Sequence, residues 1–183
     1  MTSLLVRRTT LSIASVAVSA LLVAVAVVPA EAHAIIELRG TPAYAGQASR
    51  LTMEIQHGCN PASKVPNVFP TTRVSAYFNS RFGTVTPRAL KGWAVSRTVL
   101  ANGTQQLTWR ATGPAQPFGM PFYPSMRVQW PHRPGVYGVV VRQFCAGASL
   151  SWNTPNRPAT ATQPSPPLLP LPTVRVLAAP DAH

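Results

Sequence analysis

Leu51-Thr52-Met53-Glu54-Ile55-Gln56 alternates apolar and polar side chains without a break. Successive side chains of an extended chain project to opposite faces, so this stretch reads as a strand with Leu51, Met53 and Ile55 turned inward and Glu54 outward. On either side of it, short segments rich in Val, Ile, Thr and aromatics alternate with Gly, Pro, Asn and Ser. No stretch after His33 holds a helical period over a dozen residues. Strands are expected over 34–38, 50–56, 72–78, 93–100, 105–111, 125–130 and 137–144, with a short piece around 150–152. Ala101-Asn102-Gly103-Thr104 carries the Asn-Gly pair of a tight hairpin. Seven or eight short strands at this spacing predict an all-β domain, a two-sheet sandwich of immunoglobulin-like or cupredoxin-like kind.

The composition changes after this region. Residues 155–172 are dominated by Pro, Thr, Ala and Ser, and a backbone so short of amide donors cannot occupy the middle of a sheet. An extended Pro-rich tail is expected, with 173–177 β-prone again and suited to a sheet edge. At the other end, Arg7 and Arg8 precede an almost uninterrupted apolar run over 11–28, followed by Pro29 and the small-x-small sequence Ala30-Glu31-Ala32. This is the pattern of an export signal cleaved after Ala32. A run of about eighteen residues also approaches the minimum for a membrane-spanning helix, so cleavage is what decides whether residue 33 has a free amine. The expected division is a signal peptide over 1–32, a sandwich domain over 33–154 and a Pro-rich tail over 155–183. The processed length suits one domain with a core of its own.

After the signal is removed, fourteen Lys and Arg stand against Glu37, Glu54 and Asp181, a formal charge of +11. Twelve of the cations are arginine, spread along the chain instead of clustered, so no single element reads as a groove binder for nucleic acid. Outside the cytoplasm a basic surface has anionic lipid or wall polymer as its natural partner, through long-range attraction that salt screens. Charge that simply keeps the protein soluble accounts for the same composition. The two cysteines, Cys59 and Cys145, leave the reducing cytoplasm with the rest of the chain, so a disulfide between them is expected.

Cleavage after Ala32 would leave His33 as the first residue. An amino-terminal histidine offers its α-amine and an imidazole nitrogen to the same cation, a nitrogen pair that favours Cu(II) among common divalent metals. An α-amine with an ordinary pKa of about 7.7 to 8.0 can yield its proton to a competing Cu(II), and binding should fade in acid. His57, beside Gly58 and Cys59, reads as a turn histidine, and His132, between Pro131 and Arg133, as solvent-facing. Trp93, Trp109 and Trp130 read as sandwich core or sheet-surface residues. Met53, Met120 and Met126 are too few and scattered for a thioether Cu(I) site.

Several short motifs recur in one order: Ala32-His33, Tyr44-Ala45-Gly46, His57-Gly58-Cys59, Lys91-Gly92-Trp93, Leu107-Thr108-Trp109-Arg110-Ala111, Gln143-Phe144-Cys145 and then Trp152. In these the chain resembles the YcnI-like copper-binding family of exported bacterial proteins, over most of residues 32–152. The resemblance implies a β-sandwich that binds one Cu(II) through a mono-histidine brace, with carboxylate help and a tryptophan at the site. Carried onto this sequence, His33 is the brace and Trp152 the site tryptophan. The family's acidic positions are here Met120, Pro121, Phe122 and Ser151. Glu37 and Glu54 remain as oxygen donors, and Glu54 is preferred because its strand face points away from the apolar set.

With so few acids and no Ser, His and Asp set on expected loops, paired-carboxylate and triad catalysis are excluded. The leading expectation is a non-enzymatic exported Cu(II) carrier or buffer, whose partners would be a membrane copper importer or another copper chaperone. The alternative is a non-metal structural or adhesive envelope domain contacting anionic wall or lipid material.

Overall fold

A computed structural model describes residues 37–40, 42–60, 68–162 and 167–180. The expected signal peptide, His33, Asp181 and His183 lie outside the described residues.

The described chain is all-β, with strands β1 (Glu37–Gly40), β2 (Ala43–Tyr44), β3 (Ala48–Glu54), β4 (Thr71–Phe78), β5 (Val85–Pro87), β6 (Trp93–Val99), β7 (Gln105–Ala111), β8 (Ser125–Gln129), β9 (Gly135–Gly138), β10 (Val140–Cys145), β11 (Ala148–Trp152) and β12 (Thr173–Leu177). They form a four-stranded sheet in the order β1-β3-β8-β5, a five-stranded sheet β11-β10-β4-β7-β6 and a three-stranded sheet β2-β12-β9. The two larger sheets pack face to face through one core. Leu51, Met53, Val85, Met126 and Val128 come from the first, and Val74, Ala76, Phe78, Leu107, Trp109, Val141 and Trp152 from the second. The alternation at 51–55 turns Leu51, Met53 and Ile55 into that core, as expected.

The strand expectations fit closely where the periodic pattern is long, at β3, β4, β6, β7 and β8. The hairpin between β6 and β7 closes with Gly103 N–H donating to Leu100 O at 2.9 Å and Gly103 left-handed at φ 77°. That is the longer hairpin loop with a glycine bulge instead of the two-residue turn. The single strand expected over 137–144 is two strands. β9 pairs with β12, whereas β10 pairs with β4 and β11. Buried Val139 marks the crossing, its amide donating to Pro172 O at 2.9 Å. The segment 173–177 is not an edge. β12 lies between β2 and β9, and the proline-rich chain before it takes part through the carbonyls of Leu169 and Pro172 and the amide of Leu171, which donates to Thr154 O.

Cys59 and Cys145 are joined in a disulfide with a Cα separation of 6.0 Å. It ties the segment after β3 to the end of β10, and so links the two large sheets. Buried Gln143 supports this corner, its Nε2 donating to His57 O at 2.7 Å and Thr71 Oγ1 at 2.9 Å. At the opposite corner, buried Gln105 binds the sheets together. Its Oε1 accepts from Val85 N–H at 2.9 Å and Arg97 Nη2 at 2.8 Å, while its Nε2 donates to Gly83 O at 2.7 Å.

Candidate metal centre

Glu37 and Glu54 are the only carboxylate side chains among the described residues, and the sheet sets them side by side. Glu37 is the cross-strand partner of Glu54 on β1 and β3, and Leu38 is the partner of Met53. Because Met53 is in the core, alternation turns both acids to the outer face. Like charges directly opposite repel, and Arg39, on the same face two residues from Glu37, offsets this. Its Nε and Nη2 donate to Glu37 Oε2 at 2.8 and 2.7 Å, and Nε lies 3.0 Å from Glu54 Oε2. The hydrogen bond to Glu37 and the charges of Glu37 and Glu54 raise the pKa of Arg39 above its ordinary value. Glu54 is the more covered acid, its side chain 15% exposed against 42% for Glu37.

The arrangement suits a cation. One guanidinium reaches both carboxylates, so the two oxygens converge on a single positive group, and carboxylate oxygen is an acceptable partner for an N,O-ligated Cu(II). Arg39 occupies the Oε2 atoms and would compete with a metal for them. The outward placement of Glu54 follows from strand polarity alone, whereas the bridging position of Arg39 was missed. The signal for it was present in the Glu-x-Arg spacing, which puts both residues on one strand face.

Trp152 does not join this group. It lies at the end of β11 in a row across the five-stranded sheet with Val141, Ala76 and Leu107. All four side chains are buried, Trp152 at 1% exposure. Met53, Ile55 and Trp152 share one core, so Glu54, between the first two, faces away from the tryptophan. The Trp152 indole N–H is buried without an acceptor among the described residues, as is that of Trp109. Trp130 donates to Ser49 Oγ at 2.7 Å, and Trp93 packs on Phe122 with ring centroids 4.2 Å apart.

The remaining candidates are apart from the acids. His57 Nδ1 lies 2.6 Å from Gly58 O and its ring rests 4.9 Å from that of Phe118, which is a turn role. His132 is exposed. Met53 and Met126 are in the core, while Met120 is exposed. Among the described residues no group of three or more His, Cys, Asp or Glu is placed to hold a metal. Any metal centre at the acids therefore depends on donors from elsewhere in the chain.

No family model matches the chain, and no curated protein matches it. A cohesin module of a family 33 glycoside hydrolase from Clostridium perfringens overlaps it with a TM-score of 0.47 and 10% identity, over 78% of this chain and 96% of that one. An uncharacterized protein from Nocardia farcinica, described as having an immunoglobulin-like fold, superposes with a TM-score of 0.62 and 16% identity, over 79% of this chain and 98% of that one. At this identity the likeness speaks for fold alone, and by fold the chain is an immunoglobulin-like β-sandwich.

Proposed function

We infer that this is an exported, non-enzymatic copper-handling domain that holds one Cu(II) at its processed amino terminus, through the α-amine and imidazole of His33 with Glu54 and Glu37 as oxygen donors. The observation that carries the reading is the convergence of the two carboxylates on one cationic group at the outer face of β1 and β3. His33 precedes Glu37 by four residues, and an extended chain covers at most about 3.6 Å per residue. The amino-terminal nitrogens are thus within about 14 Å of the acids by chain length alone. The disulfide suits an oxidising compartment, in keeping with export. Bound there, Cu(II) would be carried or buffered for a membrane importer or another chaperone. Trp152 belongs to the packing beneath the sheets and is outside this ligand set.

The test is Cu(II) titration of protein processed to begin at His33, read by calorimetry and electron paramagnetic resonance. One equivalent should bind tightly with nitrogen hyperfine structure. His33→Ala, or one residue added before His33, should abolish tight uptake, and Glu54→Gln should weaken it. Undiminished uptake by the first two variants would overturn the reading.

A second reading is favoured by Arg39, which already pairs with both acids. It is a non-metal envelope domain that contacts anionic wall or lipid material through its arginines. It predicts no stoichiometric copper uptake from the same titration.

A further inference from the structure

The outer face of the five-stranded sheet gathers arginines that were scattered in the sequence. Cross-strand registers align Phe144, Arg73, Arg110 and Ala94 in one row over β10, β4, β7 and β6. The adjacent row runs Ser151, Arg142, Ser75, Thr108 and Ser96. Arg73 and Arg110 are therefore directly opposite each other, an arrangement of like charges that destabilises a sheet. No Asp or Glu occurs anywhere in these five strands to offset it. The guanidinium carbon of Arg73 sits 3.8 Å from the centroid of the Phe144 ring, which fixes its plane. Its Nε is buried without an acceptor among the described residues, and so is Ser151 Oγ, the neighbour of Arg142.

Arg73, Arg110 and Phe144 border a cleft of about 490 Å³ whose walls also include Thr72, Ala111 and Ala115. Guanidinium groups bind phosphoryl oxyanions through paired N–H donors, and a fixed guanidinium plane loses little freedom on doing so. The cleft is larger than a bare oxyanion and partly apolar, which suits a phosphate carried on a small organic group.

We propose that the Arg73–Arg110 cleft is a binding site for a phosphoryl oxyanion borne on a small organic group, a soluble phosphoester or a phospholipid headgroup. An anion placed between the two guanidiniums offsets their repulsion. The site lies on the sheet that does not carry Glu37 and Glu54, and it stands whether or not the protein binds copper.

The test measures thermal stability and affinity of the processed protein with inorganic phosphate, glycerol 3-phosphate and vesicles containing phosphatidylglycerol, at ionic strength matched with chloride. Phosphate or glycerol 3-phosphate should raise the melting temperature beyond the chloride control, and Arg110→Gln should weaken that binding about tenfold, the loss of one charge-assisted contact. Because Arg110 is exposed and its removal relieves the repulsion, this variant should be no less stable than the parent without ligand. Arg73→Gln should weaken binding further, and Arg81→Gln and Arg175→Gln, which remove equal charge elsewhere, should not. A response to glycerol 3-phosphate without vesicle retention assigns a soluble phosphoester, and vesicle retention abolished by Arg110→Gln assigns the lipid headgroup. Responses no larger than chloride in the soluble arms together with no vesicle retention, or equal losses in the Arg81 and Arg175 controls, overturn the proposal.

Discussion

At the scale of single residues, burial separates what a side chain could do from what its type suggests. Trp152 and Trp109 are both fully buried, each with an indole N–H that has no acceptor among the described residues, although only the first carries a site role by resemblance. Replacement of Trp152 by Phe keeps an aromatic ring in the core and removes a donor that has no acceptor among the described residues. The expected cost is about 1 to 2 kcal/mol, below that of truncating a core aromatic to alanine, read from urea unfolding. Copper affinity should stay within about twofold, since the indole faces away from Glu54 and a tenfold change would require about 1.4 kcal/mol of lost contact. A collapse of copper binding with stability intact would return Trp152 to the site. The polarity of Glu54 was legible because alternation on one strand suffices to assign it. The burial of Gln105 and Gln143 was not, because the partners of Gln105 and of Gln143 Nε2 come from chain remote in sequence that no local pattern announces.

At the scale of elements, strands with several turns of period-two alternation were readable and strands of two or three residues were not. β2 and β5 are too short to show a period, and both exist by pairing with chain remote in sequence, β12 and β8. The break between β9 and β10 was hidden for the same reason, since Val139 is drawn out of line by a carbonyl at Pro172. β1 is the element that matters for the metal reading. It brings Glu37 to Glu54, and it also brings Arg39, whose guanidinium contacts the Oε2 atoms a metal would need. Arg39→Gln should therefore tighten Cu(II) binding severalfold in a competition titration, because the cation that competes for both oxygens is gone. Arg39→Lys, which keeps the charge, should not reproduce the gain. If the glutamine variant binds copper no better than the parent, the carboxylates are not ligands.

At the scale of the whole molecule, the two large sheets are held by a shared apolar core, by Gln105 at one corner and by the disulfide at the other. Of the two corner ties only the disulfide was legible beforehand, because two cysteines leave one pairing. Its partners are 86 residues apart in sequence, and the bridge encloses β4 through β10, the greater part of the five-stranded sheet together with β5 and β8 of the other. In the chain-entropy account a loop of this length restricts the unfolded chain by roughly 4 to 5 kcal/mol. A domain of this size has a total stability of about 5 to 15 kcal/mol, so the bridge is a large fraction of it. Replacement of both Cys59 and Cys145 by serine should lower the unfolding free energy by about 4 kcal/mol, shifting the urea midpoint. Treating the parent with a reductant should give the same shift and leave the double variant unchanged. The serine pair buries two hydroxyls where the sulfurs were, so the double alanine variant separates loss of the crosslink from loss of fit. Agreement between the serine, alanine and reduced forms would assign the effect to the unfolded chain, whereas a much smaller loss in alanine would assign it to polar burial beside Thr71 and Gln143.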